Sequence, residues 1–185
     1  MRVLAYTDAR YAAATRQVVG GEALLLVSPP TYAWNFDPAI LADRDLIYLD
    51  LHGQPHSVYL YSGVGQGEAA LSVANVRAAR LGGAVVFATT CYLPQTPFVR
   101  AFLDAGASVM IGGDGKNYGA RTRLSGAQAL ARALLKFLAR GDAPEQALAR
   151  AQRALRANVR LRLFDAAATE DALGFRAFQR KDMAA

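Results

Sequence analysis

Short apolar runs, bounded by turn residues and separated by stretches of helical spacing, recur along this chain and restrict its fold more than any other feature. Leu46-Ile47-Tyr48-Leu49-Asp50-Leu51, Ala84-Val85-Val86-Phe87-Ala88-Thr89-Thr90 and Ala107 to Gly112 lack the strict alternation of a strand with one wet face. Runs of that kind suit strands buried on both sides, the condition of a parallel sheet covered by helices. At 185 residues the chain can bury a core large enough to fold as one domain over 1–185 without disulfide or metal.

The pattern predicts strands over Arg2–Tyr6, Ala23–Ser28 and Asp45–Leu51, with a helix over Ala9–Val19 that Gly20-Gly21 ends. Pro29-Pro30 stops the second strand, and Asp37-Pro38 starts a further helix with a capping residue ahead of proline. Ser57–Ser62 reads as a half-exposed strand or hairpin arm, Gly63, Gly65 and Gly67 as a flexible turn, and Glu68–Arg80 as a helix. Strands over Ala84–Thr90 and Ala107–Gly112 flank a helix over Thr96–Ala105. Helices over Gly126–Arg140 and Pro144–Asn158 follow, then a less regular tail. The expected architecture is a mainly parallel α/β sheet with helices on both faces.

Composition narrows the function. Cys91 is the single cysteine, so no intramolecular disulfide forms, which suits a reducing compartment. The first residues carry Arg2, Asp8, Arg10 and Arg16 without a signal-like apolar stretch, and no run approaches the roughly 18 apolar residues of a membrane span. A soluble, cytoplasmic protein with no membrane partner is expected. The net charge is +6, and eleven Lys or Arg lie between Lys116 and Arg162 against only Asp142 and Glu145. Nucleic acid is not the favoured partner, because few aromatics interleave with these cations and Arg outnumbers Lys eighteen to three throughout. On a helix from Ala143 to Asn158, Leu148, Ala151 and Leu155 share one face and Arg150, Arg153, Arg156 and Arg160 the other.

Two of the apolar runs end in reactive residues. One enters His52-Gly53 and the other Cys91. Catalytic groups in parallel α/β sheets gather beyond the carboxyl ends of strands, so an imidazole and a thiol placed there can meet. The imidazole takes the thiol proton and later protonates a leaving amine. Gly53 removes side-chain bulk so that a substrate carbonyl can approach the backbone, where the Gly53 and Cys91 amides would stabilise an oxyanion. Asp50 projects to the same side as His52 and is a candidate to orient the imidazole or contact substrate; a solvent-facing carboxylate is the alternative. His56 follows Pro55 and reads as a loop residue.

The blocks before His52-Gly53 and Cys91 resemble the paired signatures of the caspase-like cysteine peptidases, a clan that includes caspases, gingipains and separase. The likeness is greatest to CHAT-domain peptidases and extends from Asp45 to Gly119, through Phe98 to Val109 with its Ala105-Gly106-Ala107 turn. Thr89-Thr90 stand where CHAT proteins usually carry Ser-Ala, and Ile111-Gly112-Gly113 where they carry Ser-Leu-Trp. The resemblance implies a caspase-like three-layer sandwich and an endopeptidase acting on protein or peptide substrates, with His52 and Cys91 as its dyad and no cofactor. It also implies a pocket beside the nucleophile, where Asp114 would select Arg or Lys before the cut bond. Lys116, Arg121 and Arg123 would then be sites for cleavage by another copy.

Other readings compete. Asp114 between glycines is also an ordinary turn residue, and a lone cysteine on an apolar strand is often only a small core residue. A catalytically inactive interaction module would bind an acidic partner through its basic C-terminal helices. His52 and His56, with Asp50 or Cys91, have a spacing that would suit zinc on a helix, yet Gly53 and Pro55 oppose a helix there. Gly63-x-Gly65-x-Gly67 invites a dinucleotide-loop reading but lacks the third-glycine spacing and an acid to hold ribose.

Overall fold

Alternation within each buried strand divides its side chains between two cores, and this division builds the molecule. The computed structural model describes residues 1–63 and 67–183. Its main sheet contains β1 (Val3–Asp8), β2 (Leu24–Ser28), β3 (Leu46–Asp50), β6 (Val85–Ala88), β7 (Val109–Gly112) and β8 (Arg176–Phe178). The order is β2-β1-β3-β6-β7-β8, parallel except for β8, which runs antiparallel to β7. A separate antiparallel pair joins β4 (Tyr59–Ser62) to β5 (Glu68–Ser72).

On one face Leu4, Tyr6, Ile47, Leu49, Val86 and Met110 share a core with Leu60 and Leu71 of the hairpin. The same core takes Val76 from α2 (Val73–Ala78) and Phe98 and Phe102 from α3 (Phe98–Asp104). On the other face Ala5, Leu46, Tyr48, Phe87 and Ile111 meet Val18 of α1 (Ala12–Val19) and Leu130 and Leu134 of α4 (Gly126–Leu138). Leu148, Ala151 and Leu155 of α5 (Pro144–Ala157), the predicted apolar stripe, complete that core with Ala172. Each large side chain fully buried in this way contributes roughly 1.5–3 kcal/mol. The tail forms α6 (Val159–Phe164), α7 (Ala166–Leu173) and then β8. No helix among the described residues is long and apolar enough to cross a membrane.

Several boundaries depart from expectation. The first strand runs on to Asp8, whose carboxylate caps a short 3-10 turn over Ala9–Tyr11 before α1 begins. Asp37 caps only a 3-10 turn, Pro38–Leu41. The helix expected over Glu68–Arg80 is half strand: β5 pairs with β4, and α2 starts only at Val73. Ser72 accepts from the Asn75 amide, and Asn75 Oδ1 accepts in return from the Ser72 amide, making a capping box. Glu-Ala-Ala-Leu-Ser has no local preference for a strand; tertiary pairing imposes it. Residues 64–66 of the glycine turn lie outside the described residues, but the turn joins two strands and not a strand to a helix, contrary to a dinucleotide loop.

Candidate active site

Parallel pairing brings the carboxyl ends of β1, β3 and β6 together. Thr7 lies opposite Asp50, and Leu49 opposite Ala88. Asp8, His52 and Cys91 therefore emerge at one edge of the sheet. His52 is tied down by β4, exchanging 2.9 Å backbone hydrogen bonds with Tyr61 in both directions. Its side chain is 36% exposed.

The segment after β6 reverses sharply at Cys91. Tyr92 holds a left-handed φ of +53°, a conformation costly for a residue with a Cβ. Two backbone bonds hold it: the Tyr92 amide donates to the Gly115 carbonyl at 2.9 Å, and the Gln95 amide to the Tyr92 carbonyl at 2.9 Å. Half-buried Cys91 is gripped by the loop after β7, where the Asn117 amide donates to Sγ at 3.2 Å and Asn117 Nδ2 donates to the Thr90 carbonyl at 2.9 Å. His52 and Cys91 line one cavity of about 20 Å³, with Tyr11, Asp50, Asn117 and Gly119 among its walls. That volume suits a single water-sized group.

Gly53 also has a packing role. A Cβ at this position would lie 2.3 Å from Thr90 Cγ2 and 2.4 Å from the Cys91 carbonyl oxygen. The space beside its Cα is thus filled by the cysteine segment itself, and the glycine lets the two sequence blocks touch. Among the described residues, neither the Gly53 nor the Cys91 amide donates a hydrogen bond.

Asp50 lies beneath the cavity, 4% exposed, and faces protein rather than solvent. Thr89 Oγ1 donates to it at 2.6 Å, Thr15 Oγ1 at 3.0 Å and Gln128 Nε2 at 3.1 Å. Burial raises its pKa against the opposing effect of these donors. The carboxylate knits α1, α4 and β6 together and makes no hydrogen bond to His52. Asp114 is exposed and forms an ion pair with Arg176. Its loop nevertheless abuts the Cys91 segment, for the Leu93 amide donates to the Gly113 carbonyl at 3.3 Å. His56 is exposed, with its amide bound to the Gln95 carbonyl at 2.8 Å. Among the described residues no group of three or more His, Cys, Asp or Glu assembles as a metal-ligand set.

The acid beside the imidazole is Asp8, which sequence reasoning passed over. Its Oδ2 lies 3.1 Å from His52 Nε2 and accepts from the Gly63 amide at 2.7 Å. Arg10 binds the same carboxylate through Nε, at 3.1 and 3.2 Å, and through a terminal nitrogen at 2.8 Å. Burial alone would raise the Asp8 pKa. The Arg10 side chain, the Arg10 and Gly63 amides and the guanidinium charge outweigh it and bring the value down to about 2. The only sequence signal was an acid ending an apolar strand, since Asp-Ala-Arg otherwise reads as a helix cap.

No family model matches the chain, and no curated protein matches it. Among solved structures, that of the Arg-specific cysteine proteinase gingipain R matches 96% of this chain with a TM-score of 0.57 at 11% identity. The match covers 46% of the gingipain R chain, so this chain spans just under half of that length. The six-stranded, mostly parallel sheet flanked by helices is thereby the caspase-like α/β fold.

Proposed function

We propose that this chain is a cysteine endopeptidase of caspase-like type, with Cys91 as nucleophile and His52 as proton carrier. The observation that carries the reading is the shared cavity of His52 and Cys91, reached from two adjacent parallel strands, with Gly53 packed closely on the Cys91 segment. In the reaction, His52 takes the thiol proton and the thiolate adds to the substrate carbonyl. The free Gly53 and Cys91 amides then receive the oxyanion. Collapse breaks the C–N bond as the imidazolium protonates the departing amine, and water cleaves the thioester to release the acid. Asp8 is the acceptor available to orient the imidazole through Nε2–H. The CHAT-like resemblance belongs to this proposal, as does a preference for Arg or Lys before the cut bond, supported by Asp114 and by the Arg specificity of gingipain R. A substrate cation must displace Arg176 from Asp114, and an exposed ion pair resists such exchange only weakly.

The test is hydrolysis of a peptide panel varied at the residue before the cut bond. Cys91→Ala and His52→Ala are each expected to abolish cleavage while leaving the thermal transition in place, and Asp114→Asn to lower kcat/KM selectively for Arg and Lys peptides. Full activity in either dyad variant refutes the assignment.

One observation favours a second reading, an acidic partner held by basic C-terminal helices. Arg150, expected on the face opposite the apolar stripe, is paired with Asp142 at 2.6 Å and stacked 4.3 Å from the Phe137 ring centroid. The available charge lies instead around a groove of about 700 Å³ between α4 and α6, rimmed by Arg123, Arg132, Lys136, Arg140 and Arg160 over Leu124, Leu161 and Phe164. None of these five cations pairs with a carboxylate among the described residues. In this reading Cys91→Ser keeps biological activity and Arg132→Glu with Lys136→Glu abolishes it.

A further inference from the structure

One guanidinium stands where the proposed dyad and its acid meet. A terminal nitrogen of Arg10 lies 2.7 Å from His52 Nε2, 2.8 Å from Asp8 Oδ2 and 2.5 Å from the Gly63 carbonyl oxygen. Two nitrogens approach to 2.7 Å only when one donates a hydrogen bond to the other. An arginine side chain is always protonated and has no acceptor lone pair, so a bond at this distance has Arg10 as donor and a bare Nε2; the two hydrogens of the terminal nitrogen then serve Nε2 and the Gly63 carbonyl, and Asp8 is held through Arg10 Nε at 3.1 and 3.2 Å. Asp8 Oδ2, 3.1 Å from the same Nε2, requires the opposite: a carboxylate can only accept, so this bond forms only when Nε2 carries the proton. The two contacts exclude one another.

We infer that Arg10 is a positioning residue that holds neutral His52 in the tautomer protonated at Nδ1, and that withdrawal of its guanidinium moves the proton to Nε2, onto Asp8. Under the peptidase reading, on which this consequence rests, only the second tautomer leaves Nδ1 free to take the Cys91 proton. With Arg10 in contact with Nε2, the site is in its resting form. Asp8 is suited to the exchange because it keeps the Gly63 amide, at 2.7 Å, whichever partner it takes on its other side. Arg10 is suited to leave because its side chain is 26% exposed, while Asp8 at 2% is fixed in place.

The experiment is a long-range 15N–1H correlation spectrum of the imidazoles at pH 8, with His56→Gln in the background so that one histidine remains. With Arg10 present the expected pattern is that of a ring protonated at Nδ1; in Arg10→Met it changes to that of a ring protonated at Nε2. An Nε2-protonated ring with Arg10 in place overturns the inference without any variant at Arg10, and so does a pattern unchanged by Arg10→Met. Alkylation of Cys91 by iodoacetamide, followed in parallel, tests the dyad separately. Arg10→Met should accelerate it by tenfold or more, and His52→Gln added to Arg10→Met should remove the gain. A tautomer that shifts while alkylation stays constant upholds the role of Arg10 and overturns the dyad.

Discussion

At the residue scale, Gly53 sits so close to the Cys91 segment that a Cβ would have no room. The nearest obstacles to a Cβ there are the Thr90 methyl and the Cys91 carbonyl oxygen, and the second is backbone that cannot rotate aside. Gly53→Ala is expected to cost about 1–3 kcal/mol in urea denaturation, as overpacking does, and to change the alkylation rate of Cys91 by pushing its segment off the histidine loop. A variant with unchanged stability and alkylation would mean that the two blocks can separate freely. His52 and Cys91 were legible in the sequence because each ends a long apolar run. Asp8 was not, because its partners lie at positions 10, 52 and 63, and spacing along a chain says nothing about which strand ends converge. Asp50 was legible as an acid on the side of His52, yet three donors from Thr15, Thr89 and Gln128 claim it for the interior.

Elements with strong internal signals matched expectation, and those defined by a partner did not. The helix α4 carries buried Leu130, Ala131, Leu134 and Leu135 at helical spacing and begins and ends close to where its pattern predicts. The strand β5 has no such signal: its identity comes from pairing with β4, and its last residue turns the chain into α2 through the Ser72–Asn75 capping box. Ser72→Ala removes the acceptor for the Asn75 amide and is expected to lower stability by about 1 kcal/mol, read from thermal or urea unfolding. If the variant is as stable as the parent, the boundary between β5 and α2 is set by pairing alone. The antiparallel β8 was equally hidden, since three residues, Arg176 to Phe178, are too few to show a period.

For the whole molecule, acid is the condition that strikes the site and the fold together. Asp8 has a pKa of about 2 against an ordinary 3.8, so its ionised form is favoured in the folded state. The sign follows: its stabilisation is fully present above about pH 4 and is lost as pH falls toward 2. Its size is up to about 2 kcal/mol before screening at the open side of the site reduces it. Asp8→Asn should therefore lower stability at pH 7 and flatten the loss between pH 4 and 2 in a series of urea titrations; a slope identical to that of the parent would remove Asp8 from the account. Asp50 acts in the opposite sense, because burial raises its pKa and the folded state holds its proton more tightly than the unfolded chain. The sequence by itself determined the α/β class, the doubly buried strands and the two reactive residues, since apolar periodicity and strand-end placement are local properties that burial enforces. Only the tertiary structure decided that Asp8 and Arg10 share the histidine, that Asp50 is bound by Thr15, Thr89 and Gln128 and Asp114 by Arg176, and that the basic groove lies beside α4. Those facts depend on which strand ends lie side by side and which charges they neutralise, and parallel register across the sheet sets both.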